Sequence, residues 1–439
     1  MRRVLSTELR RSGFGFLCVV LLLVGVAVFL GRVPRFSGYN SWSAGWASQA
    51  REVNAYCLVL GPVAATVAAW IGAREHRWGM RDLLASAPRS RAHRSLVTLF
   101  ALILGAVLGF AGTCVLFAVA VAPTATYVSA DTGAVVGLSL LGLILCLTVG
   151  WAVGRFIPRR LTAPLVGFVL YLGCALLSYS SGAERYFAPV GNLPYSSYQQ
   201  FLPGVVPAFA GWLVSISAVV LVVVLARRRL WALLPAATAA VSVFALLDLQ
   251  QDASGYPAWT RRDPVAAQQV CSPGEPVVCV TREHEAFLTE TTPLARDMVA
   301  EMSAVVDLRG AREDVFGDVA AGYLPIQSLD TAGSVFRGGL ADPADVRFQT
   351  LMMFVSMRCP IGPSDATETE IGTSFDLSYV AAGLLMPSER EHVDDVVTSP
   401  RAEALRQRLR DPEAARAWLA RYLQAVHACD FDGLERLAE

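Results

Sequence analysis

The chain has 439 residues, 54% hydrophobic and 17% charged, with 37 basic and 37 acidic residues balancing to zero. Ordinary soluble domains carry roughly 25% charge, so composition excludes a wholly soluble protein, and zero net charge gives no reason to expect a nucleic-acid partner. Every basic residue is Arg, which excludes a P-loop lysine, a Schiff-base lysine and a GxxxxGK[ST] loop.

The zero conceals a division. Residues 1–248 hold twenty arginines against seven acids, a net of +13, and residues 249–439 hold seventeen against thirty, a net of −13. Charge-free windows at residues 12–31, 53–73, 95–130, 132–154, 161–183, 186–226 and 230–247 mark the apolar spans. A helix crossing ~30 Å of hydrocarbon needs ~20 apolar residues. Every window but the last reaches that length, and the sixth holds an outer loop, "AERYFAPVGNLPYSSYQQFLPG", before a span that begins near Val206. The seventh window, with Pro235 and many alanines, is the weak point.

Alternate loops are rich in Arg: "MRRVLSTELRR", "REHRWGMRDLLASAPRSRAHR", "GRFIPRR" and "ARRR". The others carry Trp42, Trp46, Tyr127 and Tyr195 and little charge. Arg excess marks the cytoplasmic side and aromatics the interface. The expectation is therefore a cytoplasmic N-terminus, a multi-pass protein of a bacterial cell membrane, and an extracytoplasmic acidic domain after an odd number of spans.

Nine cysteines divide between the spans (Cys18, Cys57, Cys114, Cys146, Cys174) and the acidic domain (Cys271, Cys279, Cys359, Cys429). Four cysteines in an exported domain allow three disulfide pairings. Cys271–Cys279 with Cys359–Cys429 is favoured, because the first pair brackets the short loop "SPGEPVV". In a cytoplasmic domain the four would be free thiols.

The acidic domain is expected to be mainly α with minor β. "PVVCVT" reads as a strand, and residues 283–306 as a helix kinked or split by Pro293. "DVRFQTLMMFVSMR", "SFDLSYVAAGLLM" and "SPRAEALRQRLR" read as helices. "DPEAARAWLARYLQAVHAC" is the clearest, with Asp411 as cap, Pro412 in the first turn and an apolar stripe of Trp418, Leu419, Tyr422, Leu423 and Val426.

Chemistry is sparse. His284 lies between Glu283 and Glu285 without the second histidine of HExxH, and GxSxG does not occur. A zinc set of Cys279, His284, His427 and Cys429 is the weaker reading, and solvated polar residues are the default. No catalytic residue, cofactor site or metal site is assigned, and the protein is not expected to be an enzyme. The spans hold almost no ionisable residues, which disfavours ion-coupled transport.

Between the second and third spans, Glu75–Ala87 fits a short surface helix with Trp78, Leu83 and Leu84 apolar and Arg74, Arg77, Arg81 and Asp82 polar. Pro88 ends it. The order "REHRWG", "LLASAPRSR" and a span from Leu96 resembles the inner loop of ABC-2-type transporter permeases, in the actinobacterial form with an appended domain. The amphipathic "MRRVLSTELRRSGFG" and the outer loop before the sixth span fit the same family over roughly residues 1–228. That resemblance implies an all-α, six-helix permease domain at 1–228; the seventh span expected at 229–249 and the α-rich extracytoplasmic domain expected at 250–439 depart from the family's six-span core, which ends with its C-terminus inside. It implies a homodimer or heterodimer in lipid, driven by a separate cytoplasmic ATPase, with substrate movement coupled to that partner's ATP hydrolysis. Arg74, Glu75, Arg77, Trp78, Arg81, Asp82, Leu83, Leu84, Pro88 and Arg89 would form the coupling loop. The alternatives are a membrane-anchored sensor or binding protein whose outer domain is the working part and, last, a membrane enzyme.

Overall fold

Long runs of uncharged residues leave the backbone no polar partner but itself, and in this composition they form helices. The computed structural model describes residues 13–31, 45–79, 90–180, 183–226, 228–249, 259–315, 322–329, 335–336, 339–340, 342–356, 368–390 and 399–438. Among these, apolar helices follow in order: α1 (Phe14–Gly31), α2 (Trp46–Gly72), α3 (Arg91–Val121), α4 (Ala130–Phe156), α5 (Thr162–Ser178), α6 (Val205–Leu225) and α7 (Leu233–Asp248). Six are long and apolar enough to cross a membrane, the last of them counted over Arg229–Asp248 with its leading 3₁₀ turn. The short one is α5, with 17 residues, or about 26 Å at 1.5 Å per residue. The last helix, α7, has 16 residues by itself and reaches 20 only with its leading 3₁₀ turn.

The chain divides into two compact units, parting after Ala266. In the first, the helices meet through small residues. Helices α2 and α4 run parallel in a fixed register. A Cβ on Gly150 or Gly154 would run into the carbonyls of Ala65 and Ala69, and one on Gly61 would press on Cys146. Parallel α1 and α3 pack likewise, with Gly105 against the Phe14 carbonyl and Gly109 against the Cys18 carbonyl. Among apolar helices in lipid, such close backbone approach supplies the dispersion contact that holds them together.

Away from the Arg-bearing ends, the chain after α7 folds back. Strand β1 (Gln199–Phe201) pairs antiparallel with β2 (Thr260–Arg262). Trp259 is fully buried against Phe187, Phe209 and Tyr186, and its indole N–H donates to the Leu246 carbonyl at 2.8 Å.

The second unit contains a four-stranded sheet in the order β3 (Gln269–Cys271), β4 (Val277–Thr281), β5 (Gly310–Glu313), β6 (Tyr323–Ile326). The first pair is antiparallel and the other two are parallel. Helix α8 (Leu288–Met302) makes the β4–β5 crossover. The expected break at Pro293 does not occur: Pro293 sits within α8, and the interruption falls earlier, where His284 leaves helical geometry in a 3₁₀ segment, Arg282–Phe287. Proline in the second turn of a helix sacrifices few intrahelical bonds.

A two-stranded ribbon of β7 (Val335–Phe336) and β8 (Gly339–Leu340) precedes α9 (Pro343–Val355), α10 (Glu368–Leu385), α11 (Pro400–Arg408), α12 (Pro412–Ala428) and α13 (Phe431–Ala438). Asp411 caps α12 by accepting from the Ala414 N–H at 3.0 Å. The core joins Val278, Ala311 and Leu324 of the sheet to Met298, Leu351, Leu377, Trp418 and Tyr422 of the helices. Tyr422, whose hydroxyl donates to the Val355 carbonyl at 2.7 Å, is buried with its polar tip satisfied. The unit is thus mainly α over a small mixed sheet.

Candidate functional site

After α2 a single further turn, Arg74–Arg77, is followed by Trp78, and beyond it Gly79 takes a left-handed φ of +62°. The expected surface helix over Glu75–Ala87 is helical only through Arg77 within the described residues. Arg81, Asp82, Leu83, Leu84, Pro88 and Arg89 lie outside them. Helix α3 begins at Ser90, whose hydroxyl accepts from the His93 N–H at 3.3 Å.

The charged residues here are arranged against the helix ends. Arg77 folds back: its guanidinium lies 3.6 Å from the centroid of the Trp70 ring and donates to the Trp70 carbonyl at 2.6 Å. That carbonyl is one of the last in α2, where a cation is favoured. Glu75 reaches Arg155 at the end of α4, 3.7 Å away, and Arg155 lies 5.7 Å from the Trp151 ring. Arg74 stands 5.8 Å from the ring of Trp78, itself 66% exposed. A partly exposed ion pair contributes about 0–1 kcal/mol and an exposed cation–π contact about 0.5–1. Of these contacts only Glu75–Arg155 joins the ends of α2 and α4.

At the other end of the same helix pair, Asn54 of α2 is buried. Its amide donates to the Ser139 hydroxyl of α4 at 3.0 Å, and its carbonyl accepts from the Leu193 N–H at 3.0 Å. Asp131 at the start of α4 accepts from the Phe201 N–H at 2.6 Å. Asp263 accepts from the Tyr127 hydroxyl at 2.8 Å and from the N–H groups of Val265 and Ala266. The α2–α4 pair is thus clamped at both ends by side chains.

In the second unit, Cys271 and Cys279 face each other across β3 and β4 and are joined by a disulfide. Cys429 is also disulfide-bonded; Cys359 lies outside the described residues. Both findings remove thiolates from the weaker zinc reading, and no cluster of three or more ligand residues that could hold a metal occurs among the described residues.

The expectation that His284 is solvated is corrected. His284 and Glu313 are both fully buried, with imidazole Nδ1 2.5 Å from carboxylate Oε1. Glu313 also accepts from the Thr281 N–H and hydroxyl, each at 2.8 Å, and from the Leu329 N–H at 3.1 Å. Burial raises a carboxyl pKa, but the adjacent imidazole and these donors outweigh it and hold Glu313 below its ordinary range. The group ties the end of β4 to β5 and to the chain leaving β6. Sequence reading found His284 but not its partner, because 29 residues separate them and only the parallel pairing of β4 and β5 brings them together.

No protein-family model matches the chain, no curated protein matches it, and no solved structure matches its fold.

Proposed function

We propose that this chain is the membrane permease subunit of an ABC transporter of the ABC-2 type, moved by a separate cytoplasmic ATPase. The observation that carries the reading is the joined end of α2 and α4. The basic segment of residues 74–89 departs from α2, and Glu75–Arg155 links that departure to α4. The two helices share one closely packed register along their length. A push delivered by a partner at residues 74–89 would therefore move both helices as one body. The lack of any lysine or P-loop in the chain makes the nucleotide-hydrolysing partner a separate polypeptide.

On this reading the Arg-bearing ends face the cytoplasm, by the positive-inside rule. The second unit then lies outside the cell, consistent with its disulfides. The helix Thr162–Ser178 crosses at the short end of the range for a span.

The test is purification of the full chain from its native membrane with vanadate-sensitive ATP hydrolysis as the readout. The expected result is a co-purifying P-loop ATPase whose association is lost in an R77E/R81E variant that still folds. Purified protein without an ATPase partner, or an unaltered complex in R77E/R81E, would refute the proposal. The competing reading, a membrane-anchored binding protein, draws on the second unit's own core and gains if the ATPase is absent.

A further inference from the structure

Among the described residues, the two shortest apolar helices begin alike. Helix α5 has 17 residues and α7 has 16, about 26 and 24 Å at 1.5 Å per residue, short of the ~30 Å of hydrocarbon. Arg159 and Arg160 stand just before α5. Arg228 and Arg229 stand just before α7, where Arg229 opens the 3₁₀ turn Arg229–Ala232. All four side chains are exposed, and among the described residues none of the four pairs with a carboxylate. Acids are scarce at these ends of the helices over the whole sequence. Residues 1–12, 74–94, 155–160 and 226–229 hold sixteen arginines against Glu8, Glu75 and Asp82, and Glu75 is engaged by Arg155. Exposed apolar residues follow each pair at once, Leu161 before α5 and Leu230 and Trp231 before α7. Each helix then carries an exposed apolar side, with Leu165 and Phe168 on α5 and Val241 and Phe244 on α7.

We propose that each of these arginine pairs holds the phosphate of an anionic phospholipid whose acyl chains lie along the exposed side of the helix that follows. The planar fork of guanidinium matches phosphate oxygens in paired hydrogen bonds. A helix shorter than the hydrocarbon thins the bilayer around it and draws its flanking charges toward the headgroups, which brings phosphate to the level of the pair. Trp231 adds a ring of the kind that sits at headgroup level. Charge selects the anionic class. Neither pair has a carboxylate beside it to receive the ammonium of a zwitterionic headgroup, whereas a phosphatidylglycerol headgroup carries negative charge alone. Fixing the topology of the chain needs the same positive charge but no bound lipid, so a binding measurement separates the two roles. The inference rests on these helices crossing a membrane and not on the ATPase, so it stands or falls apart from the transport reading.

The test uses the full chain purified in detergent, stripped of lipid and titrated with dioleoyl phosphatidylglycerol or dioleoyl phosphatidylcholine, with bound lipid counted by native mass spectrometry. Phosphatidylglycerol should fill two sites and bind about tenfold or more tightly than phosphatidylcholine. R159Q/R160Q and R228Q/R229Q should each weaken one of the two sites about tenfold or more, since every basic residue near an anionic headgroup adds its own increment of attraction. Each variant keeps fourteen of the sixteen arginines. R159K/R160K and R228K/R229K, which keep the charge, should retain most of the binding. R410Q/R416Q, an equal charge change at exposed positions of the second unit, should bind as the parent does. The proposal is overturned if phosphatidylcholine binds equally, if the lysine variants lose binding as fully as the glutamine ones, or if R410Q/R416Q weakens binding alike. Glutamine variants that keep phosphatidylglycerol also overturn it, and if they shed a co-purifying protein the arginines belong to a protein contact instead.

Discussion

Glu313 shows how much one buried carboxylate can organise. It takes hydrogen bonds from three residues, Thr281, His284 and Leu329, and its ionised form is favoured in the fold. Removing one partner of a buried pair costs about 3–5 kcal/mol, because the other charge is left uncompensated. E313A should therefore destabilise the second unit by about that amount, read from chemical denaturation. Its pH dependence has a definite sign. A depressed folded pKa contributes stability above the ordinary carboxylate pKa, and that stability is lost as pH falls through the folded value. The parent should lose stability on acidification more steeply than E313Q; parallel pH profiles would remove Glu313 as the cause. At Gly150 the constraint is steric. G150V would drive side-chain atoms into the Ala65 carbonyl, whereas Gly137 on the same helix has open space around it. Overpacking costs about 1–3 kcal/mol, so G150V should lower the melting temperature in detergent and G137A should leave it nearly unchanged.

Among elements, the β3–β4 hairpin and helix α12 are held by different means. The Cys271–Cys279 bond closes a short loop between paired strands. In the chain-entropy account a loop of this length contributes about 2–3 kcal/mol. C271S/C279S should lose about that, read from chemical denaturation. Helix α12 depends on its cap, and D411A should cost about 1 kcal/mol by freeing the Ala414 N–H. Helix α12 was legible in the sequence because cap, proline and apolar stripe are all local. The sheet was not: only "PVVCVT" stood out, since the partners β3, β5 and β6 are strands of three or four residues, too short to carry a period.

For the whole molecule, the question is which side of the membrane each unit occupies. A single cysteine introduced at the exposed Ser303 should react with a membrane-impermeant maleimide in intact cells if the second unit is external. Labelling only after lysis would place it in the cytoplasm and leave the chain with an even number of crossings. The candidate coupling residues were singled out by a family resemblance of the segment between two apolar windows; its charges alone fit a basic loop that only fixes topology. What neither revealed was the grip of Glu75 on Arg155, or that Arg77 turns back onto Trp70.

The sequence by itself determined that this is an Arg-only chain with a run of apolar segments about as long as a membrane is thick, an acidic C-terminal part and no GxxxxGK[ST] loop. Those properties follow from which residues are present and from runs about twenty residues long, and no contact is needed to read them. Tertiary structure alone decided that α2 and α4 pack in one register and that His284 meets Glu313 in the interior. Each joins residues distant in the chain or fixes a direction for a side chain, and composition and period carry no information about either.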